Sequence, residues 1–114
     1  MDCIFCKIAN KEIPSKFLYE DEQVVAFHDI SPAAPVHILV IPKKHIANIL
    51  EINSDDANLI SHIVQNVIPK IAKDQKLAEK GFRLVVNTKE DGGQTVNHLH
   101  FHLLGGRSMS WPPG

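Results

Sequence analysis

The 114-residue chain has only two cysteines, one tryptophan and one tyrosine, and neither sign of charge prevails, with 12 Lys and Arg against 13 Asp and Glu. A formal net charge of −1 supplies no global basic field for nucleic acid or an anionic membrane, so any phosphate-bearing ligand has to be held locally. Long apolar runs are missing too: stretches such as "VHILVIP" fall far short of a membrane span. The N-terminal "MDCIFCKIANKE" lacks the basic region, apolar stretch and small-residue cleavage site of a secretion signal, and a cytoplasmic protein is expected. Cys3 and Cys6 enclose so short a loop that a lone structural disulfide would be a poor use of them; metal binding or redox chemistry suits the pair better. Repeats, low-complexity tracts and linkers are also absent, so residues 1–114 are expected to form one domain.

What is present is a change of period along the chain. "FLYEDEQVVAFHDI" (Phe17 to Ile30) reads as two short strands about an acidic turn, and "VHILVIP" (Val36 to Pro42) as a third after the turn "SPAAP", giving an antiparallel meander. From Ser54 the spacing becomes helical, with Ile60, Ile63, Val64, Val67, Ile68 and Ile71 on one stripe. Ser54 suits the N-cap, Asp55 and Asp56 suit the positive end of the dipole, and Gly81 is a plausible stop beyond the helix. Pro69 removes one backbone donor inside the pattern and predicts a kink or an early stop. "FRLVVN" (Phe82 to Asn87) reads as a strand, "TKEDGGQT" as a polar Gly-Gly loop and "NHLHFHLLGG" as the partner strand, so the fold class is α+β. Trp111 sits in the proline- and glycine-rich tail "RSMSWPPG", and its ring is expected to dock somewhere.

The segment "VNHLHFHLLGG" carries the chemistry. Read as a strand, it places His98, His100 and His102 on one face and Leu99, Phe101 and Leu103 on the other. Neighbouring histidine Cα atoms would lie roughly 6.6 Å apart and the outer pair about 13 Å apart, which suits an extended anion better than one metal ion shared by all three. A neutral central imidazole can attack phosphorus while a protonated flanking one neutralises charge.

"HLHFHLL" resembles the signature of the histidine triad (HIT) family, and "AFHDISPAAPVHILVIPKKHI", "VVNTKEDGGQTVNHLHFHLLGGR" and "WPPG" resemble its Hint branch, the nucleoside phosphoramidases, from Phe5 to Gly114. The resemblance implies a meander sheet with one long helix and a short N-terminal helix. It also implies hydrolysis of purine nucleoside 5′-phosphoramidates through a nucleotidyl-histidine at His100. In that reading His102 contacts phosphate oxygens, His98 lies behind the nucleophile, and His37 is a fourth histidine near the site. Gly92 and Gly93 would bring main-chain N–H groups to the phosphate, and Thr95 would donate to the leaving nitrogen. Asp29 would accept both ribose hydroxyls, with Phe5, Ile8, Phe27 and Ile30 around the base and Asn87 close to phosphate and ribose. Hint-like proteins form homodimers joined sheet edge to sheet edge, and the C-terminal segment, here with Trp111, reaches the partner's active site. A partner covering the last strand would answer its exposed edge.

"CIFC" departs from branch members without cysteines there. Together with His45 and His98, which match the histidine ligands of zinc-bearing HIT proteins, Cys3 and Cys6 form a candidate structural zinc site; no cofactor is expected for catalysis. Three rival readings stay open at this point: a metallohydrolase with catalytic zinc on His98 and His100 completed by His37 or His102, a dinucleotide polyphosphate hydrolase, and a nucleotide-binding module without turnover.

Overall fold

A computed structural model describes residues 3–114. Five strands, β1 (Tyr19–Glu20), β2 (Val24–His28), β3 (Val36–Pro42), β4 (Arg83–Val85) and β5 (Phe101–Gly105), form one antiparallel sheet in the order β1-β2-β3-β5-β4. The expected α+β meander is therefore present over β1 to β3. The last strand, however, is not an edge: β5 lies between β3 and β4, and the free edges belong to β1 and β4. An exposed edge for a partner to cover thus exists on β4, where Leu84 and the preceding Phe82 are exposed.

The central strands are apolar almost throughout because both faces of the sheet are covered. In β2, Val24 and Ala26 join Ile38 and Val40 of β3 in the core beneath the long helix. Val25 and Phe27 face the other way and pack with Leu39 and Ile41 under the short N-terminal helix α1 (Ile4–Ala9). Odd-numbered positions of β3 therefore look toward α1, and this places His37 on the same face as Leu39 and Ile41.

The long helix starts at Asn53, not Ser54. The Asn53 side chain accepts from the Asp55 N–H, and the Asp56 carboxylate accepts from the Asn53 N–H in a reciprocal cap. A 3₁₀ turn (Ser54–Asp56) leads into α2 (Ala57–His62), then a π-helical turn (Ile63–Val67), then α3 (Ile68–Asp74). Pro69 does not stop the helix. A proline there has no N–H for the residue 65 carbonyl and crowds that carbonyl; widening the turn before it separates the two, and the helix runs on. Leu59, Ile63, Val67, Ile68, Ile71 and Ala72 remain buried on the sheet. The chain then turns through Lys76 with φ 62° before Gly81 with φ 94° feeds β4.

Between β4 and β5 the expected polar loop contains a one-turn helix, α4 (Lys89–Gly92), with Gly93 in the left-handed conformation as its cap. Regular pairing of the last strand begins only at Phe101, so His98 and His100 lie in the lead-in rather than in the ladder. The alternation survives nonetheless, since Leu99, Phe101 and Leu103 all enter the core beneath the helix. No helix among the described residues is long and apolar enough to cross a membrane.

Candidate active site

The histidines are sorted by which nitrogen the backbone takes. His100 Nδ1 lies 2.7 Å from the His98 carbonyl oxygen, and because a carbonyl only accepts, Nδ1 carries the proton and Nε2 keeps its lone pair. His98 is held the opposite way round: its Nε2 donates to the Pro42 carbonyl at 2.8 Å, which leaves Nδ1 bare. His37 Nδ1 accepts from the Ala33 N–H at 3.0 Å, so its proton sits on Nε2 and is donated to His102 Nδ1 at 2.9 Å. The proton of His102 must then be on Nε2. Asp29 flanks this pair, its Oδ2 being 3.5 Å from His37 Nε2.

Burial pushes His102 down to about 4, with the neighbouring His100 and His37 adding to the shift and Asp29 opposing it. A protonated flanking imidazole was expected from the sequence; desolvation makes His102 neutral instead, so it offers an N–H donor and not a full charge. His98 is likewise pushed down to about 4 by burial, against its bond to Pro42.

His100 and His102 line a cleft of about 610 Å3. Of the other residues expected at the site, Phe5, Ile8, Phe27, Asp29, Ile30 and Thr95 also line it. The Phe5 ring meets Phe27 edge-on at 5.8 Å and His100 at 5.1 Å, so one aromatic from α1 bridges the apolar wall and the central imidazole. Asp29 is shaped by its turn: its backbone N–H donates to the His37 carbonyl and its Oδ1 accepts from the Ser31 N–H at 2.7 Å, leaving Oδ2 the freer oxygen.

Other expected residues lie elsewhere. Asn87 packs against Gly92, and neither it nor Gly93 is on the cleft wall. The Gly93 N–H is used in capping α4, donating to the Glu90 carbonyl at 3.0 Å, so it is not an oxyanion donor in this arrangement. Trp111 is 81% exposed in this single chain, and Arg83 holds the tail through the Ser110 carbonyl. Sequence reading also missed several parts. Ile13, Pro14 and His28 are among the other residues that line the cleft. Gln94 staples the loop before the histidines, its amide donating to the carbonyls of Ala47 and Val96 while its oxygen accepts from the Lys89 N–H. No periodicity marks such a residue; only the run of loop-forming neighbours hints at a need for one.

The four candidate zinc ligands do converge. His98 Nδ1 is 3.3 Å from Cys3 Sγ, 3.5 Å from Cys6 Sγ and 3.2 Å from His45 Nδ1, and Cys6 Sγ is 3.3 Å from His45 Nδ1. A tetrahedral zinc with bonds of roughly 2.0–2.1 Å to nitrogen and ~2.3 Å to sulfur has ligand–ligand edges of about 3.3–3.8 Å, so the donor set fits that ion in kind and in spacing. Burial, the bond to Cys3 and the charge of Cys3 push the Cys6 thiol up to about 11; a bound cation would oppose that by stabilising thiolates. The rival catalytic metal on His98 and His100 lacks such convergence, since the bare nitrogen of His98 belongs to the cysteine cluster and His100 Nδ1 to a carbonyl. Asp29, His37 and His102 also lie close enough to share an ion, but their ring nitrogens already form a donor–acceptor chain.

A HIT domain matches residues 10–109, and the chain belongs to the HIT family. Among its relatives is an uncharacterized HIT-like protein of Synechococcus elongatus, 54% identical over 99% of this chain and 97% of its own length. A HIT family hydrolase from Legionella pneumophila superposes with a TM-score of 0.96 at 52% identity, over 99% of this chain and all of the other (100%). A histidine triad nucleotide-binding protein from Candida albicans superposes with a TM-score of 0.82 at 37% identity, over 97% of this chain and 83% of the other.

Proposed function

We propose that the protein hydrolyses nucleoside 5′-phosphoramidates, AMP-like purine nucleotides linked to an amine, through a covalent nucleotidyl-His100 intermediate. The observation that carries this reading is the tautomer of His100: a backbone carbonyl holds its proton on Nδ1, and the remaining lone pair belongs to a ring that lines a nucleotide-sized cleft. The Nε2 lone pair forms a bond to the α-phosphorus as the phosphorus–nitrogen bond breaks, and the leaving amine takes up a proton relayed from solvent through the Thr95 hydroxyl. Water then adds to phosphorus, releasing AMP and restoring His100. His102 Nε2–H donates to a phosphoryl oxygen, Thr95 assists the leaving nitrogen, and the Asp29 carboxylate accepts from the ribose hydroxyls. Phe5, Phe27, Ile8 and Ile30 enclose the base. Hydrolase and nucleotide-binding relatives of high similarity support the reaction class.

Catalysis in this scheme needs no cofactor. Cys3, Cys6, His45 and His98 hold a structural zinc, which fastens α1 to the lead-in of β5, and His98 takes no part in proton transfer. Two subunits join along β4, where exposed Phe82 and Leu84 provide apolar surface, and Trp111 docks at the partner's site. Cys3 and Cys6 form no disulfide, which suits the reducing cytoplasm.

Rates on AMP-amines and on diadenosine polyphosphates, with His100→Ala as control, test the assignment. Turnover of the amine substrate with AMP trapped on the wild-type protein alone is expected. Preference for the dinucleotide would make the protein a polyphosphate hydrolase, and binding without turnover a nucleotide-binding module.

A further inference from the structure

The Gly-Gly-Arg turn that closes β5, Gly105 to Arg107, is absent from the chemistry above. We propose that this turn is a clamp that sets the direction of the His37–His102 hydrogen bond, which makes Arg107 a positioning residue of the site. This deepens the proposed function and rests on it for its kinetic arm only.

A continuous chain of contacts supports the clamp. Arg107 Nη2 donates to the Ala33 carbonyl at 2.9 Å, the Ala33 N–H donates to His37 Nδ1 at 3.0 Å, and His37 Nε2 meets His102 Nδ1 at 2.9 Å. A second Arg107 nitrogen donates to the Ser108 carbonyl at 3.0 Å and so steadies the guanidinium. Gly106 makes an independent contact with the same loop. Its φ is +90°, and a Cβ added there would stand 2.9 Å from Pro35 Cβ, so turn and loop lie backbone against ring. Between Ser31 and Pro35 the two prolines have no N–H, which narrows the loop's means of reaching His37.

The bond between the two imidazoles has two possible directions. With the Ala33 N–H in place, His37 Nδ1 must accept, His37 donates from Nε2, and His102 presents Nε2–H to the cleft. Without that donor His37 is free to carry its proton on Nδ1. His37 Nε2 then accepts, His102 donates from Nδ1, and its Nε2 becomes a lone pair facing the phosphate. The reversed relay offers repulsion where the forward one offers a donor. Arg107 is exposed, so its bonds contribute little to the stability of the fold; its effect falls on the direction of the relay.

The test reads tautomers directly. Imidazole ¹⁵N spectra of the full chain are recorded at pH 7.5 for wild type, Arg107→Met and Arg107→Lys. Wild type should show Nε2–H at His37 and His102 and Nδ1–H at His100. Arg107→Met should give a mixture or a reversal at His37 and His102 while His100 stays unchanged, with Arg107→Lys in between. On the AMP-amine substrate, kcat should fall ~10-fold with KM nearly constant, a part of what a positioned donor contributes. Unchanged tautomers in Arg107→Met overturn the clamp, whatever happens to its melting temperature. Should Arg107→Met fail to fold, Arg107→Lys decides by the same spectra. Absence of turnover in wild type would count against the proposed function and leave the tautomer result standing.

Discussion

Two histidine clusters sit side by side in this domain and are wired in opposite ways. In one, His98 Nδ1, left bare because Nε2 donates to the Pro42 carbonyl, meets His45 Nδ1 and two cysteine sulfurs, a convergence that suits a cation. In the other, His37 and His102 form a directed chain of donors and acceptors beside His100, whose lone pair has no protein partner among the described residues. His98 and His100 are two residues apart and share a face, yet the first gives Nε2 to a carbonyl and the second Nδ1. The contrast teaches that an imidazole's role is assigned by the nitrogen its backbone neighbour occupies, not by its place in a motif.

The most severe break of this contrast is His100→Ala, which should lower kcat on an AMP-amine by at least ~10³-fold while AMP still binds; single-turnover kinetics and calorimetric binding check both halves. On the other cluster, Cys6→Ser should reduce bound zinc from about one equivalent to under a tenth and lower the melting temperature by ~10 °C, the shift expected for a loss of about 2 kcal/mol in a domain of this size. Elemental analysis and melting curves read these, and unaltered melting after chelation would remove the cation from the account. Asp29→Asn should raise KM about ten-fold for ribonucleotide substrates and hardly at all for their 2′,3′-dideoxy counterparts, because a charge-assisted acceptor is lost only where hydroxyls exist to use it.

A smaller effect depends on pH. Burial holds His102 at about 4 in the folded chain against about 6.5 unfolded, so the folded state favours the neutral ring. That contribution is complete above about pH 6.5 and is lost as pH falls from there toward 4. Melting temperature in wild type should therefore drop more steeply over this window than in His102→Gln; parallel curves would show that His102 is not the group responsible. Smallest of all in stability is removal of Ser110 to Gly114, which should move the melting temperature by less than ~2 °C while changing the ranking of leaving amines. Identical rankings would show that the tail has no part in substrate choice.

Much of the architecture was legible because it rests on period. Alternation placed Leu99, Phe101 and Leu103 in the core, and 3.6-residue spacing found the long helix. The helix start was misplaced by one residue because Asn53 and Ser54 are both capable caps, and only the reciprocal Asp56 decides between them. Pro69 was legible as a disturbance but not as a π turn, since a helix under tertiary packing can widen where an isolated one would end. At the site, spacing and resemblance identified half of the residues that line the cleft. Tautomers, the spent amide of Gly93, the Gln94 staple and the Arg107 bond to Ala33 depend on carbonyls and amides that no side-chain pattern records.

One consequence follows from the Pro42 and His98 carbonyls. The acceptor that orients His100 is a peptide oxygen, and every amino acid supplies one. Substituting residue 98 therefore removes a side chain of the thiol-rich corner without removing the acceptor that keeps the His100 proton on Nδ1.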